Sequence, residues 1–101
     1  IRELLHPDLH AVRQQSLAEA VVPPGTATLL HRHARSEEIY HVTRGNGTMT
    51  LGDEVFAIAP GDSIVIAPGR RTGIENTGDE ALHILCCCAP AYSHADTELL
   101  G

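Results

Sequence analysis

The stretch GTATLLHRHARSEEIYHVTRG, residues 25–45, decides how this chain folds. Two histidines, His31 and His33, stand two positions apart in a run of β-prone residues. Side chains on a strand alternate between faces, so both imidazoles point the same way, as neighbouring ligands of a first-row metal must. The two carboxylates that follow, Glu37 and Glu38, compete for the same face. If Glu38 points inward it takes Tyr40 and Val42 with it and sends His41 and Thr43 outward. The opposite parity buries His41 and Thr43, a poorer core, so the pattern selects Glu38.

The same rhythm continues on both sides of this stretch. Short β-prone runs separated by Gly, Pro, Asn and Asp recur at intervals of roughly 8 to 12 residues, the pattern of a sandwich or barrel. The expected strands are Ser16–Val22, Thr26–His33, Glu38–Arg44, Thr48–Leu51, Glu54–Ile58, Ser63–Ala67, Arg71–Asn76 and Ala81–Cys88. Gly45-Asn46-Gly47 and Gly52-Asp53 supply residues that tolerate tight turns, and Pro60-Gly61-Asp62 and Pro68-Gly69 supply others. Asp62 reads as a turn-stabilising acceptor. Outside the termini no run of 11 or more residues keeps a helical apolar period. Leu4–Ser16 has room for a helical turn, but His6-Pro7-Asp8 interrupts it, and the polar segment Tyr92–Gly101 reads as a loosely docked arm.

At 101 residues and 10.8 kDa there is material for one core. The reading is a single domain over residues 1–101, with its core at about 16–90, an N-terminal arm at 1–15 and a C-terminal tail at 91–101. Seven Arg, no Lys and 13 acidic residues give a net charge of −6, which argues against sequence-independent nucleic-acid binding. The absence of Lys removes Schiff-base chemistry. No apolar run reaches the roughly 18 residues of a membrane span, and no signal-peptide pattern is visible. Cys86, Cys87 and Cys88 are consecutive, which fits neither a disulfide framework nor a zinc motif. Strand alternation sends at least one of them into the core, and a reducing cytoplasm is the expected setting. Seven His against three aromatic residues is the unusual part of the composition.

With those residues in place, the chain resembles a known family. Residues 25–45 look like the first cupin motif, G-x5-H-x-H-x3,4-E-x6-G, with Gly25, His31, His33, Glu38 and Gly45 at its fixed positions. GDSIVIAPGRRTGIEN, residues 61–76, looks like the second, G-x5-P-x-G-x2-H-x3-N. The ending from Leu85 to Glu98 is similar to the tail of a subgroup of small, single-domain cupins. The resemblance implies an all-β, double-stranded β-helix (jelly-roll) barrel with a site in its interior mouth, and a homodimer paired through edge strands. It also implies a divalent transition metal, Fe, Mn or Zn, held by His31, His33 and Glu38.

The second motif departs from the family twice. Ala67 replaces a proline in a turn that Pro68-Gly69 still makes. Thr72 stands where cupins usually place a third histidine ligand, and parity puts Thr72, Ile74 and Asn76 on one face. A hydroxyl is a poor ligand for metals that prefer imidazole, so the donor set falls to two His and one carboxylate. That set suffices for catalytic zinc or non-haem iron. Thr72 could then hydrogen-bond a water at the metal, and Tyr40, inward beside Glu38, could donate a hydrogen bond or proton to a ligand. Arg70 and Arg71, just before Thr72, could hold an anionic group. His41 and His83 fall on outward parity, and His6, His10 and His94 lie near the termini, where exposure is the default. Three functions stay open: a metal-dependent enzyme acting on a small molecule, a non-catalytic binding module for a sugar or small acid, and a partner-binding barrel.

Overall fold

Strand alternation and turn chemistry produce ten strands in the structure, a computed structural model that describes residues 1–100. They are β1 (Arg2–Leu5), β2 (Ser16–Val22), β3 (His31–His33), β4 (Glu37–Arg44), β5 (Gly47–Leu51), β6 (Glu54–Ile58), β7 (Ser63–Ile66), β8 (Thr72–Glu75), β9 (Leu82–Ala89) and β10 (Thr97–Leu99). A one-turn 3-10 helix, His94–Asp96, precedes β10. Two five-stranded sheets result, ordered β1-β2-β9-β4-β7 and β10-β3-β8-β5-β6, with antiparallel pairing throughout. From β2 onward the chain passes back and forth between the sheets, with only the β5–β6 hairpin staying in one, so the two sheets wind together as a rolled barrel.

The period-2 pattern fixes what fills the barrel. Val22, Tyr40, Val42, Met49, Ile58, Ile66, Ile74, Leu82 and Ile84 form the buried core, with Leu51, Phe56, Ile64 and Cys86 packed against it. Cross-strand register sorts the inward positions of the first sheet into rows. Ser16, Cys88, Glu38 and Ile66 make one row, and Ala18, Cys86, Tyr40 and Ile64 the next. Ala20, Ile84 and Val42 follow, then Val22 and Leu82. The acidic ligand candidate therefore sits at one end of an otherwise apolar column.

Two motif residues act on the backbone. Gly45 has φ +81°, and a Cβ there would lie 2.5 Å from the Ala81 carbonyl oxygen, so only glycine fits. Asn76, fully buried, donates its amide to the carbonyls of Val22 and Glu80 and accepts from the Gly78 N–H. It closes the loop between β8 and β9 and ties it to the end of β2. Asp62 accepts from the Ala59 N–H at 2.8 Å, as a turn residue should.

The structure departs from the sequence reading in three places. The run Thr26–His33 is a strand only over its last three residues, because the Thr28 hydroxyl accepts the Ile74 N–H and takes a place in the ladder, leaving an isolated bridge at Ala27. At the N-terminus, Arg2–Leu5 is an edge strand on β2, followed by a single turn at His6–His10. The segment after Pro90 is not loose among the described residues, although its last residue, Gly101, lies outside them. β10 pairs with β3, and Asp96 accepts the N–H groups of Arg35 and Ser36 at 2.9 and 3.0 Å.

Candidate metal centre

The two strands that meet at the barrel mouth bring His31, His33 and Glu38 together. One donor atom from each lies within 4.8 Å of the others. His33 and Glu38 are buried and His31 is half-buried. The histidines come from one sheet and the carboxylate from the other, so the cluster bridges the two. The His31 and His33 rings meet edge to face, with centroids 5.2 Å apart and planes at 75°.

Hydrogen bonding on the far side of each ring decides which nitrogen is available. His31 Nδ1 lies 3.0 Å from the Leu29 carbonyl oxygen, which can only accept, so Nδ1 carries the proton. His33 Nδ1 lies 2.9 Å from the Thr97 hydroxyl, whose own proton goes to the Ser93 carbonyl at 2.8 Å. That hydroxyl therefore accepts from His33 Nδ1–H. With Nδ1 as the donor, the neutral form of each ring has its lone pair on Nε2, the tautomer that metal ligation requires.

Glu38 is held by one oxygen and open at the other. Its Oε2 accepts a hydrogen bond from the Cys88 thiol at 3.1 Å. Its Oε1 has no hydrogen-bond partner and lies 3.4 Å from His33 Nε2. A buried carboxylate oxygen facing an imidazole lone pair is unfavourable unless a cation lies between them. A proton on His33 Nε2 would serve that pair but leave His31 Nε2 unused. A metal ion uses all three donors, so the residues present fit one.

Burial, and then the Glu38 charge, raise the Cys88 thiol far above its ordinary value and push Cys86 up to about 12. Both remain S–H groups facing the interior. The Tyr40 hydroxyl is likewise raised well above the usual phenol value, first by burial and then by Glu38. It is a donor at every working pH.

Thr72 is directly opposite His31 in the β3–β8 register and is fully buried. Its hydroxyl and Glu38 Oε1 are the two buried side-chain polar atoms without a partner among the described residues. Arg70 and Arg71 take no part in the site. Their guanidinium groups donate to the carbonyls of Leu51 and Gly52 and clamp the β5–β6 turn, because that turn packs against the segment that carries them. His41 and His83 are outward, on Ser63 and Glu19. His94 is exposed, as expected, and stands at the rim of the cavity next to the cluster together with Tyr92, whose hydroxyl lies 3.0 Å from His94 Nδ1. Thr97, Tyr92 and His94 were beyond sequence reasoning because their contacts depend on where the tail docks. The alternation of Thr97-Glu98-Leu99 is the one local signal of a strand there.

The cluster opens into a cavity of about 550 Å³. A cupin domain model matches residues 18–88, which contain all three donors. The chain is 55% identical over 100 residues to an uncharacterized protein of Methanocaldococcus jannaschii, spanning 99% of this chain and 80% of that one. It is 34% identical over 68 residues to an oxalate-binding protein of Thermotoga maritima, covering 67% of this chain and 56% of that one. Among solved structures, an uncharacterized conserved protein with a double-stranded β-helix domain from Klebsiella pneumoniae superposes with a TM-score of 0.81. The sequences are 21% identical, over 92% of this chain and 80% of that one, a likeness of fold. With its rolled pair of sheets and a matched family domain across most of its length, this chain belongs to the cupin family as a double-stranded β-helix.

Proposed function

We propose that the protein binds one divalent transition metal, Fe, Mn or Zn, on His31 Nε2, His33 Nε2 and Glu38 Oε1, and acts there on an oxygen-bearing small molecule. The observation that carries the reading is Glu38 Oε1, buried without a hydrogen-bond partner 3.4 Å from His33 Nε2, in a ring whose Nδ1 already donates to Thr97. When bound, such a metal supplies Lewis acidity toward the ligand's oxygens. The chain supplies the rest. Leu29 and Thr97 hold the two rings, Cys88 holds the carboxylate, and Tyr40 offers a permanently protonated hydroxyl toward the ligand. Thr72, with a hydroxyl free of other duties, is assigned to hydrogen-bond a water at the centre. The similarity to an oxalate-binding protein supports a ligand that presents oxygens to the centre. Pairing of two chains through edge strands, as the family resemblance implies, belongs to the same proposal, and sedimentation would then return twice the mass of one chain.

Elemental analysis of protein purified without chelator, and again after anaerobic reconstitution, tests the reading. One equivalent per chain is expected, with loss of metal in Glu38→Gln. Content far below one equivalent with every divalent metal tried would end it. Threonine in place of a third imidazole favours a second reading, a binding module without turnover. Ligand binding with no product formed by the loaded protein would select that reading.

A further inference from the structure

The cavity beside the donors has a chemistry of its own. All four inward positions of β2 line it: Ser16 near the cluster, then Ala18, Ala20 and Val22. Alanines at 18 and 20, opposite Cys86 and Ile84, leave the space that larger side chains would fill. Ile74 and Ile84 complete an aliphatic wall. Leu29 and Leu99 line the same cavity while being 60% and 65% exposed, so the apolar surface runs from the interior out to solvent. Among the described residues no arginine side chain lines it, and the chain has no lysine. The side-chain carboxylates that do line it are Glu38 and Glu3.

Two consequences follow for a ligand. A divalent ion on Glu38 leaves one positive charge, enough for one anionic group, while a second anionic group placed toward Glu3 would face a carboxylate and no side-chain cation other than histidine. Six non-hydrogen atoms, as in oxalate, would leave most of the aliphatic cavity unused, whereas pockets of this volume take larger molecules. Resting on the metal reading above, we infer that the site takes a neutral or singly charged molecule with a chelating oxygen head and an extended aliphatic body lying along β2. A small dianion such as oxalate is not its ligand.

The test is a calorimetric titration with oxalate, pyruvate, 2-oxohexanoate and 2-oxooctanoate, on metal-loaded and on chelator-stripped protein. Affinity should rise about fourfold for each methylene buried, hence well over tenfold between pyruvate and 2-oxooctanoate. Oxalate should bind more weakly than 2-oxooctanoate. The chain-length trend should persist, at lower affinity, in stripped protein. Ala20→Leu should flatten the series beyond pyruvate, with Ala18→Leu as the alternative variant if the first does not fold. A flat series, or oxalate as the tightest ligand, overturns the inference. If no metal binds, the trend in stripped protein alone decides. A trend there sustains the aliphatic pocket while the metal reading fails, and a flat series ends both.

Discussion

In the proposed centre, threonine at position 72 stands in the place of a third imidazole. It is fully buried opposite His31, and its hydroxyl has no partner within the protein. An unsatisfied buried hydroxyl costs about 1–3 kcal/mol, which the isosteric Thr72→Val would recover. Metal-free Thr72→Val should therefore equal or exceed the parent in stability by about 1 kcal/mol in urea denaturation, and should bind metal less well if the hydroxyl serves a water there. Destabilisation of the metal-free variant by a similar amount would show that the hydroxyl already has work within the protein. Thr97 poses the complementary case. Its hydroxyl accepts from His33 Nδ1–H, and without it the imidazole gains by moving its proton to Nε2, where Glu38 Oε1 lies 3.4 Å away. Thr97→Val should then bind metal about 10–100-fold more weakly, the usual cost of removing a partner behind a ligating histidine. Nitrogen NMR of the metal-free variant should show the Nε2–H tautomer, and an unchanged tautomer would detach Thr97 from the centre.

Among the elements, the tail shows where the sequence could be read and where it could not. Residues 16–22 and 54–58 form strands at the expected bounds, because apolar alternation and flanking turn residues act locally. Glu38 was selected over Glu37 by parity alone, and it is buried where Glu37 is exposed. β1 carried no such signal and β10 only the three-residue alternation Thr97-Glu98-Leu99, since short strands are recruited by an existing edge, and the fit of Thr97 to His33 spans 64 positions. The ladder breaks after Ala27 for a similar reason, a side-chain hydrogen bond whose partner lies 46 residues away. Tail docking also has a titratable latch. Desolvation raises the Asp96 carboxyl, but the N–H groups of Ser36 and Arg35 and the Arg35 guanidinium outweigh it, so the group lies below its ordinary 3.8. A lowered carboxyl stabilises the docked tail above that ordinary value and loses its contribution as pH falls through the lowered one. Hydrogen-exchange protection of the Ser36 amide should hold from neutral pH to about 4 and decline below it, relative to the β9 core. In Asp96→Asn the protection should be weaker and independent of pH over that range. A parent protein with no acid-dependent change would mean that β10 pairing alone fixes the tail.

At the scale of the whole molecule, the three donors span the division between the sheets. His31 and His33 belong to the sheet built on β8, where β3 makes a single register pair with β8, His31 with Thr72, and Glu38 belongs to the sheet built on β9. At the mouth the one carboxylate faces the two imidazoles with an oxygen left unpartnered, an arrangement that a cation between them relieves. Binding to the folded state alone stabilises it by about 2.7 kcal/mol at a free metal concentration 100 times Kd. For a domain of this size each kcal/mol moves Tm by about 4–8 °C, so saturation at that level should raise Tm by about 10–20 °C. Stripping with chelator should reverse the rise, and Glu38→Gln should show little of it, because the bridge to the second sheet is lost while the histidine pair remains. Thermal unfolding with and without the metal, on parent and variant, measures both. A shift of the same size in Glu38→Gln would place the bound metal elsewhere on the protein. No shift in either would mean that the two sheets hold the mouth closed without it, and that the unpartnered oxygen of Glu38 is satisfied by a proton.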